Sequence, residues 1–188
     1  MIARLFFIIA CILFFAACKN KKKKPDCTGK DRWEVKTLTD ERETEINYKA
    51  LKTSIATLIS VPPPGILESK TPRLGVEFYT FTLDCRISEY KVSDDGDYHL
   101  VLTDLNDPAK TMVAEIPDVA CQSVAESKYA AKYVKAKEIF LKSLLPGGDA
   151  DTCVYTITGV AFFDKVHGQL GAAPSAIELH PVLGISKK

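Results

Sequence analysis

The sequence predicts a mainly β domain of the α+β class, in which five strands and one helix form a barrel. Segments rich in β-branched and aromatic residues follow one another between turn signals from residue 76 onward, as expected for short strands. A single helical stretch separates the third of these segments from the fourth. The predicted order of elements is therefore β-β-β-α-β-β.

The first three predicted strands lie at residues 76–92, Tyr98–Thr103 and Thr111–Ile116. Turn signals at residues 93–96 and 106–108 separate them, and Pro117 ends the third. After that, Ser123 and Glu126 form a capping box that predicts the start of the helix. The residues at helical spacing that predict its buried face are Tyr129, Tyr133, Ala136, Phe140 and Leu144.

The last two predicted strands lie at Thr152–Phe163 and Ala176–Ile185. Gly159 in the fourth strand predicts a bulge or a barrel corner. Pro181 interrupts the fifth strand, and we expect that strand at a sheet edge because proline cannot donate to a ladder. This order of elements, with a long first strand, is that of the OB-fold, a partly open five-stranded barrel.

Residues 1–17 have the layout of a secretory signal: Arg4, an apolar run from Leu5 to Phe15, and small residues before Cys18. The apolar run is shorter than the roughly 20 residues that a membrane span needs. The stretch 15–18, Phe-Ala-Ala-Cys, resembles the lipobox of bacterial lipoproteins, which implies cleavage after Ala17 and lipid attachment, palmitate included, at Cys18. The alternative is an ordinary cleaved signal followed by a chance cysteine.

This reading divides the chain into a signal peptide at 1–17, a lysine-rich tether at 18–30, an N-terminal extension at 31–72 with little regular structure, and a barrel at 73–188. It predicts a protein held by lipid in the cell envelope, at the outer membrane. Without the signal and the five tether lysines, 19 basic residues face 24 acidic ones. That net charge of −5 argues against nucleic acid as a partner, since such domains carry a basic stripe.

With Cys18 acylated, four cysteines are left in an oxidising compartment. We expect a Cys85–Cys121 disulfide, because the first strand of this fold can pass close to the start of the helix. Cys27 and Cys153 would then either pair with each other or both remain reduced thiols. A zinc site is the competing reading, but no C-x-x-C spacing occurs.

Strand alternation places four polar residues, His99, Glu115, Glu178 and His180, on one outer face of the barrel. The loop that carries Asp164 and His167 is expected above them. Such a group can bind a divalent metal, for which His99, Glu178 and His180 are the candidate ligands, or act in acid–base catalysis. The alternative is ordinary outward-facing residues of a half-solvated sheet.

Asp95-Gly96-Asp97 before one strand and Ala114 to Asp118 at the end of the next are similar to the pattern of the thermonuclease family, which has an OB-fold core. The resemblance implies that Asp97 and Glu115 bind a metal ion and that Asp118 is the catalytic carboxylate. The chain departs from that pattern at Lys110, which stands near the family's first arginine and cannot form a bidentate phosphate clamp.

Five segments also resemble a family of uncharacterised bacterial exported domains, over about residues 73–186. They are Asp95–Leu102, Thr111–Pro117, Thr158–Asp164, His167–Gln169 and Ile177–Leu183. No activity is established for that family, so the resemblance implies none for this chain. The residues in these segments that packing alone does not require are Asp97, His99, Glu115, Asp164, His167, Gln169, Glu178 and His180.

These observations predict a lipid-anchored binding or interaction module whose ligand is a glycan, a peptide or an envelope protein. The alternative is a metal-dependent hydrolase of nuclease or phosphodiesterase type, with a divalent ion as its cofactor. Its candidate catalytic residues are Asp97, His99, Glu115, His167 and His180. A structural envelope component is a third possibility, and the fold does not decide among the three.

Overall fold

The structure is a computed structural model that describes residues 27, 31–145, 153–165 and 167–188. The predicted signal peptide, the predicted lipid-attachment residue Cys18 and most of the predicted tether lie outside the described residues. Among the residues described, no helix has the length and apolar character that a membrane span requires.

Six strands and four helices make up the described fold. The strands are β1 Asn47–Lys52, β2 Tyr79–Val92, β3 Tyr98–Thr103, β4 Thr111–Ile116, β5 Tyr155–Phe163 and β6 Ile177–Lys187. The helices are α1 Trp33–Thr37, α2 Ile55–Leu58, α3 Gln122–Ala125 and α4 Ala130–Ser143. Short 3₁₀ turns occupy Glu43–Glu45 and Gly75–Phe78.

A closed five-stranded barrel confirms the predicted OB-like fold. The long strand β2 pairs antiparallel with β5 through its first half and with β3 through its second half. Strand β3 pairs with β4, β4 runs parallel to β6, and β6 pairs with β5. The closed order is therefore β2-β3-β4-β6-β5, and β1 adds a parallel strand beside the start of β2.

The bounds of β3 and β4 match the prediction, whereas the expectation that the last strand lies at an edge is wrong. Strand β6 lies between β4 and β5. A register shift accommodates Pro181, because Gly159 pairs with Val182 while Ala161 pairs with Leu179. A Cβ on Gly159 would lie 2.9 Å from the Pro181 carbonyl oxygen, so the predicted bulge at this glycine is confirmed.

The helix predicted after the third strand is divided in two, and its capping box does not form. The N-cap residue of α3 is Cys121, which makes no side-chain cap. The Ser123 hydroxyl instead accepts a hydrogen bond from Trp33 Nε1 at 3.0 Å. The predicted buried face is present in α4, where Tyr133, Ala136 and Phe140 are buried in the barrel core.

The predicted Cys85–Cys121 disulfide is wrong, because Cys121 forms a disulfide with Cys27 at a Cα–Cα distance of 5.5 Å. Cys85 lies on the face of β2 that points into the barrel and is fully buried between Leu83 and Ile87. Burial raises the pKa of the Cys85 thiol to about 12. Cys121 lies at the start of α3, where the N-terminal segment can reach it.

The segment predicted as a loosely structured extension is part of the folded domain. Ile55 and Leu58 of α2 and Trp33 of α1 pack in one continuous hydrophobic cluster with the core residues of the barrel. The guanidinium of Arg32 is buried and donates two hydrogen bonds to Glu77, at 2.7 and 2.6 Å. It also donates to the carbonyl oxygens of Thr71, Pro72 and Phe163.

Glu77 is fully hydrogen-bonded as well, since it accepts the backbone N–H groups of Leu74 and Phe163 at 2.7 and 2.8 Å. A buried ion pair whose remaining donors and acceptors are satisfied fixes the geometry of the elements that carry it. Arg32 and Glu77 therefore fix the start of α1 against the end of β5.

We expect Arg32→Ala to lower the free energy of unfolding by about 3–5 kcal/mol, because it leaves the Glu77 carboxylate buried without its partner. The matched control is Arg42→Ala, which removes an exposed pair with Glu45 and should lower the free energy of unfolding far less, because water solvates the charge that is left. Urea denaturation measures both values. Equal effects of the two substitutions would contradict this account of Arg32.

Candidate functional site

A cavity of about 230 Å³ lies on the outer face of β3 and β4. We call it the His99 cavity. Its walls come from α1, from the loop between β2 and β3, and from the loop between β5 and β6. Its lining residues are Asp31, Trp33, Lys36, Lys91, Ser93, Asp94, Asp95, His99, Glu115, Asp164, His167 and Gln169.

The structure brings together the four polar residues predicted to share a face, but it buries them. The exposed fractions of His99, Glu115, Glu178 and His180 are 2%, 8%, 3% and 0%. The expectation of a half-solvated outer face is therefore wrong. The face is covered because α1 packs against β6 and because the loop after β5 folds across β3.

Gly171 shows how closely that loop lies on β3. Its φ is +77°, and a Cβ at this position would lie 2.4 Å from a methyl carbon of Val101. His99 fastens the same loop, because its Nε2 lies 3.2 Å from the carbonyl oxygen of Leu170. The other ring nitrogen of His99 lies 2.8 Å from Glu115 Oε1. His99 is thus a positioning residue with both nitrogens occupied.

His180 lies at the centre of a buried group that we call the His180 cluster: Asp97, His99, Glu115, Glu178 and His180. Its Nδ1 lies 3.0 Å from Glu115 Oε2 and 3.3 Å from Glu178 Oε1, and its Nε2 lies 3.4 Å from Asp97 Oδ2. Burial by itself lowers the pKa of His180. The three carboxylates outweigh burial and hold that pKa well above its usual value, which favours the protonated form of His180.

The carboxyl groups around His180 differ in proton affinity. Burial raises the pKa of Glu178, the charge of Glu115 raises it further, and the result is about 7. Burial also raises the pKa of Asp97. Burial acts on Glu115 in the same direction, but its bonds to His180 and His99 hold its pKa well below the usual range. Burial therefore favours the protonated form of Glu178 and of Asp97, whereas Glu115 is held in its ionised form.

A second polar group faces the His99 cavity from the loop after β5. Asp164 Oδ2 lies 3.2 Å from His167 Nε2 and accepts a hydrogen bond of 2.5 Å from Gln169 Nε2. Lys36 Nζ lies 3.6 Å from Asp164 Oδ1. The side chain of His167 is 61% exposed, so it is the candidate catalytic residue that solvent reaches most readily.

Lys36 and Trp33 are site residues that the sequence did not indicate. Burial lowers the pKa of Lys36, but the nearby charges of Glu178, Glu115 and Asp164 raise it above the usual value. The ammonium of Lys36 therefore balances the carboxylates beneath the cavity. Nothing in the sequence of the N-terminal segment marks these residues, because their role depends on where the segment docks.

The predicted metal ligands His99, Glu178 and His180 do not face a common point. The group that could hold an ion is Asp97, Glu115 and His180, whose potential ligand atoms all lie within 4.8 Å of one another. The imidazole of His180 nevertheless lies between the two acids, with Nε2 toward Asp97 and Nδ1 toward Glu115. One ion could be bound by all three only after a side chain moves.

The structure separates two residues of the thermonuclease pattern, Asp118 and Lys110, from the His99 cavity. The Asp118 backbone N–H donates to Asp97 Oδ1 at 2.8 Å, while the Asp118 carboxylate lies 3.1 Å from Lys137. Lys110 pairs with Asp107 at 3.2 Å in the turn between β3 and β4. Asp118 and Lys110 do not line the His99 cavity.

The lining of the His99 cavity is acidic. It contains five carboxylates and two lysines, a formal charge of −3 before the histidines are counted. A scan against protein-family models finds no match for this chain, and no curated protein matches it. The function must therefore be inferred from the chemistry of the site.

We expect the free energy of unfolding to fall as the pH rises from about 5 to 8. His180 stabilises the fold fully below its ordinary pKa of 6.5, and this is lost as the pH rises through its raised pKa. Glu178 acts in the same direction between 4.5 and about 7, because the folded protein keeps a proton that the unfolded chain releases.

Urea denaturation over a series of pH values measures this slope. Glu178→Gln is the matched control, since it keeps the side-chain shape and removes the titration. The slope of this variant should be flatter between pH 4.5 and 7. A wild-type stability that is constant or rises over this range would show that the His180 cluster does not titrate in this way.

Proposed function

We propose that this protein is a lipid-anchored envelope module whose OB-like domain binds a small, positively charged polar group in the His99 cavity. The observation that carries the proposal is where the cavity lies. OB-folds bind their ligands on the second and third barrel strands and the loops that follow the first and fourth. Here those elements are β3, β4 and the two loops that line the His99 cavity.

The lining supports an ammonium-bearing ligand, such as an amino sugar or the amine of a peptide. Asp94 and Asp95 lie on the loop between β2 and β3, and Gln169 supplies an amide on the opposite loop. An acidic site attracts cations and repels phosphate-rich strands. This charge, with the net −5 of the domain, supports a glycan or peptide and makes nucleic acid an unfavourable partner.

The proposed lipid anchor rests on the sequence, and the disulfide supports export of the protein. Disulfides persist in exported proteins and are rare in the cytosol, so the Cys27–Cys121 bond is consistent with the signal at residues 1–17. Lipid on Cys18 and an outer-membrane position complete the proposal.

We expect glucosamine oligomers to change the fluorescence of Trp33, the single tryptophan of the chain, because Trp33 lines the His99 cavity. N-acetylated oligomers of the same length should bind much more weakly, since they lack the ammonium. Asp95→Asn should weaken binding about tenfold, while its side-chain oxygen can still accept the Asp97 N–H that Asp95 Oδ1 accepts.

Asp107→Asn is the matched control, because Asp107 is half-exposed in the turn between β3 and β4 and lies outside the cavity. Its affinity should equal that of the wild type. Binding that does not distinguish the amine from its acetylated form, or that Asp95→Asn leaves unchanged, would contradict the proposal.

A metal-dependent hydrolase is the second candidate, and one observation favours it. Asp97 Oδ2 and His180 Nε2 are buried and have no hydrogen-bond partner among the described residues. An ion between them would satisfy both atoms, and Glu115 could become a further ligand after a side chain moves.

Metal analysis of the purified protein separates the two candidates. If the binding module is correct, we expect no stoichiometric metal. One equivalent of divalent ion that is lost in Asp97→Asn and kept in Asp164→Asn would instead favour the hydrolase. Both substitutions replace a buried carboxylate by an amide, so the comparison corrects for general destabilisation.

A further inference from the structure

A second cavity, of about 350 Å³, lies beside the His99 cavity, and we call it the Pro63 cavity. Five of its lining residues have no polar side-chain atom: Pro63, Pro64, Gly65, Leu67 and Ala176. The first four belong to the loop that follows α2, and the last directly precedes β6. The Pro63 cavity is thus a largely apolar depression that the proposed ammonium site does not use.

A single residue, Asp164, separates the two cavities, because it lines both of them. Its carboxylate is bonded to side chains of the loop after β5 that line the His99 cavity. On the other side, its backbone N–H donates to the carbonyl oxygen of Ala176 at 3.0 Å, and Ala176 lines the Pro63 cavity.

An ion pair on the surface crosses the same border. Lys165 Nζ lies 2.5 Å from Asp31 Oδ1. Asp31 lines the His99 cavity, and Lys165 lines the Pro63 cavity. The two cavities are therefore neighbours, and a short ligand that lies across this pair can reach into both.

The polar groups of the Pro63 cavity are few, and two of the three are already paired. The charged groups of Asp164 and Lys165 have the partners given above. The third polar residue, Ser175, is 5% exposed, and its hydroxyl has no hydrogen-bond partner among the described residues. Rotation about χ1 would turn this hydroxyl toward an amide group of a ligand.

This lining distinguishes between the two kinds of ligand that carry an amine. A sugar ring brings several hydroxyl groups, and each one that is buried without a partner lowers the affinity. An apolar side chain needs no such partner, and its transfer from water to an apolar cavity is favourable. The Pro63 cavity therefore fits an apolar side chain better than a second sugar.

We propose that the ligand of this protein is a peptide with a free amino terminus, whose ammonium binds in the His99 cavity and whose apolar side chain, within the first three residues, binds in the Pro63 cavity. This inference rests on the proposed ammonium site and adds the class of ligand. Three extended residues span about 10 Å, and a single residue, Asp164, separates the two cavities. An amino sugar would occupy the His99 cavity alone.

The experiment titrates the full chain with three tripeptide probes and follows the emission of Trp33, which lines the His99 cavity. The probes are Gly-Leu-Leu amide, Gly-Gly-Gly amide and N-acetyl-Gly-Leu-Leu amide. Gly-Leu-Leu amide should bind about tenfold more tightly than the triglycine amide. Tenfold corresponds to about 1.4 kcal/mol, which is at the lower end of what burial of a leucine side chain provides. The acetylated probe should bind much more weakly than either, because it has no ammonium.

Gly65→Asp tests whether the Pro63 cavity is the source of the leucine preference. A Cβ on Gly65 would meet no atom within 4 Å, so this variant adds a carboxylate to the apolar lining without a steric clash. It should bind the two free-amine probes with equal affinity. Pro63→Asp, which changes an exposed residue of the same lining, should give the same result and replaces Gly65→Asp if that variant does not fold.

Asn106→Asp is the matched control. It adds the same charge at an exposed position of the turn between β3 and β4, outside both cavities. This variant should keep the tenfold preference for Gly-Leu-Leu amide. Near-ultraviolet circular dichroism checks that all variants are folded.

The outcomes separate this inference from the ammonium site beneath it. Equal binding of the acetylated and the free-amine leucine probes would overturn the ammonium site and this inference together. If the acetylated probe binds weakly but triglycine amide binds as tightly as Gly-Leu-Leu amide, the ammonium site stands and the peptide ligand is overturned. A leucine preference that persists in Gly65→Asp and in Pro63→Asp would overturn the Pro63 cavity as the place where the side chain binds.

Discussion

The buried pair of Arg32 and Glu77 is the interaction on which the functional face of this protein depends. It joins the N-terminal segment to β5 by bonds to both the carbonyl oxygen and the N–H of Phe163. Removing two ions from water is costly, and such a pair is tolerated where further hydrogen bonds satisfy both partners. Because Arg32 directly precedes α1, this pair places Trp33 and Lys36 over the outer face of β3 and β4.

Because α1 covers this face, a layer of buried charged side chains lies beneath the His99 cavity. An OB-like barrel without its N-terminal segment would expose His99, Glu115 and His180 to solvent as ordinary polar residues. Covered by α1 and the loop after β5, the same residues become a buried network in which the pKa values of His180 and Glu178 are both raised. Such a connected network makes the floor of the cavity rigid, and Asp94 and Asp95 line the cavity from the loop between β2 and β3.

Much of the barrel could be predicted because local chemistry decides it. The alternation of apolar and polar residues in β3 and β4 defines both strands, since one face of each packs into the barrel core. Gly159 was informative because no other residue allows the close approach of β6. Pro181 led to the wrong prediction of an edge strand. A register shift between β5 and β6 leaves Pro181 out of the hydrogen-bond ladder, and this shift depends on the pairing of the two strands and not on the sequence near Pro181.

The sequence by itself determined the class of fold, the order of the barrel elements along the chain and the set of polar residues that share one face, because these follow from patterns within a few residues. Only the tertiary structure decided that Cys121 pairs with Cys27, that the shared face is buried, and that a cavity forms above it. Arg32 and Glu77 are 45 residues apart and Trp33 and Ser123 are 90 apart. Contacts over such separations depend on the free energy of the whole folded chain, which no local pattern records.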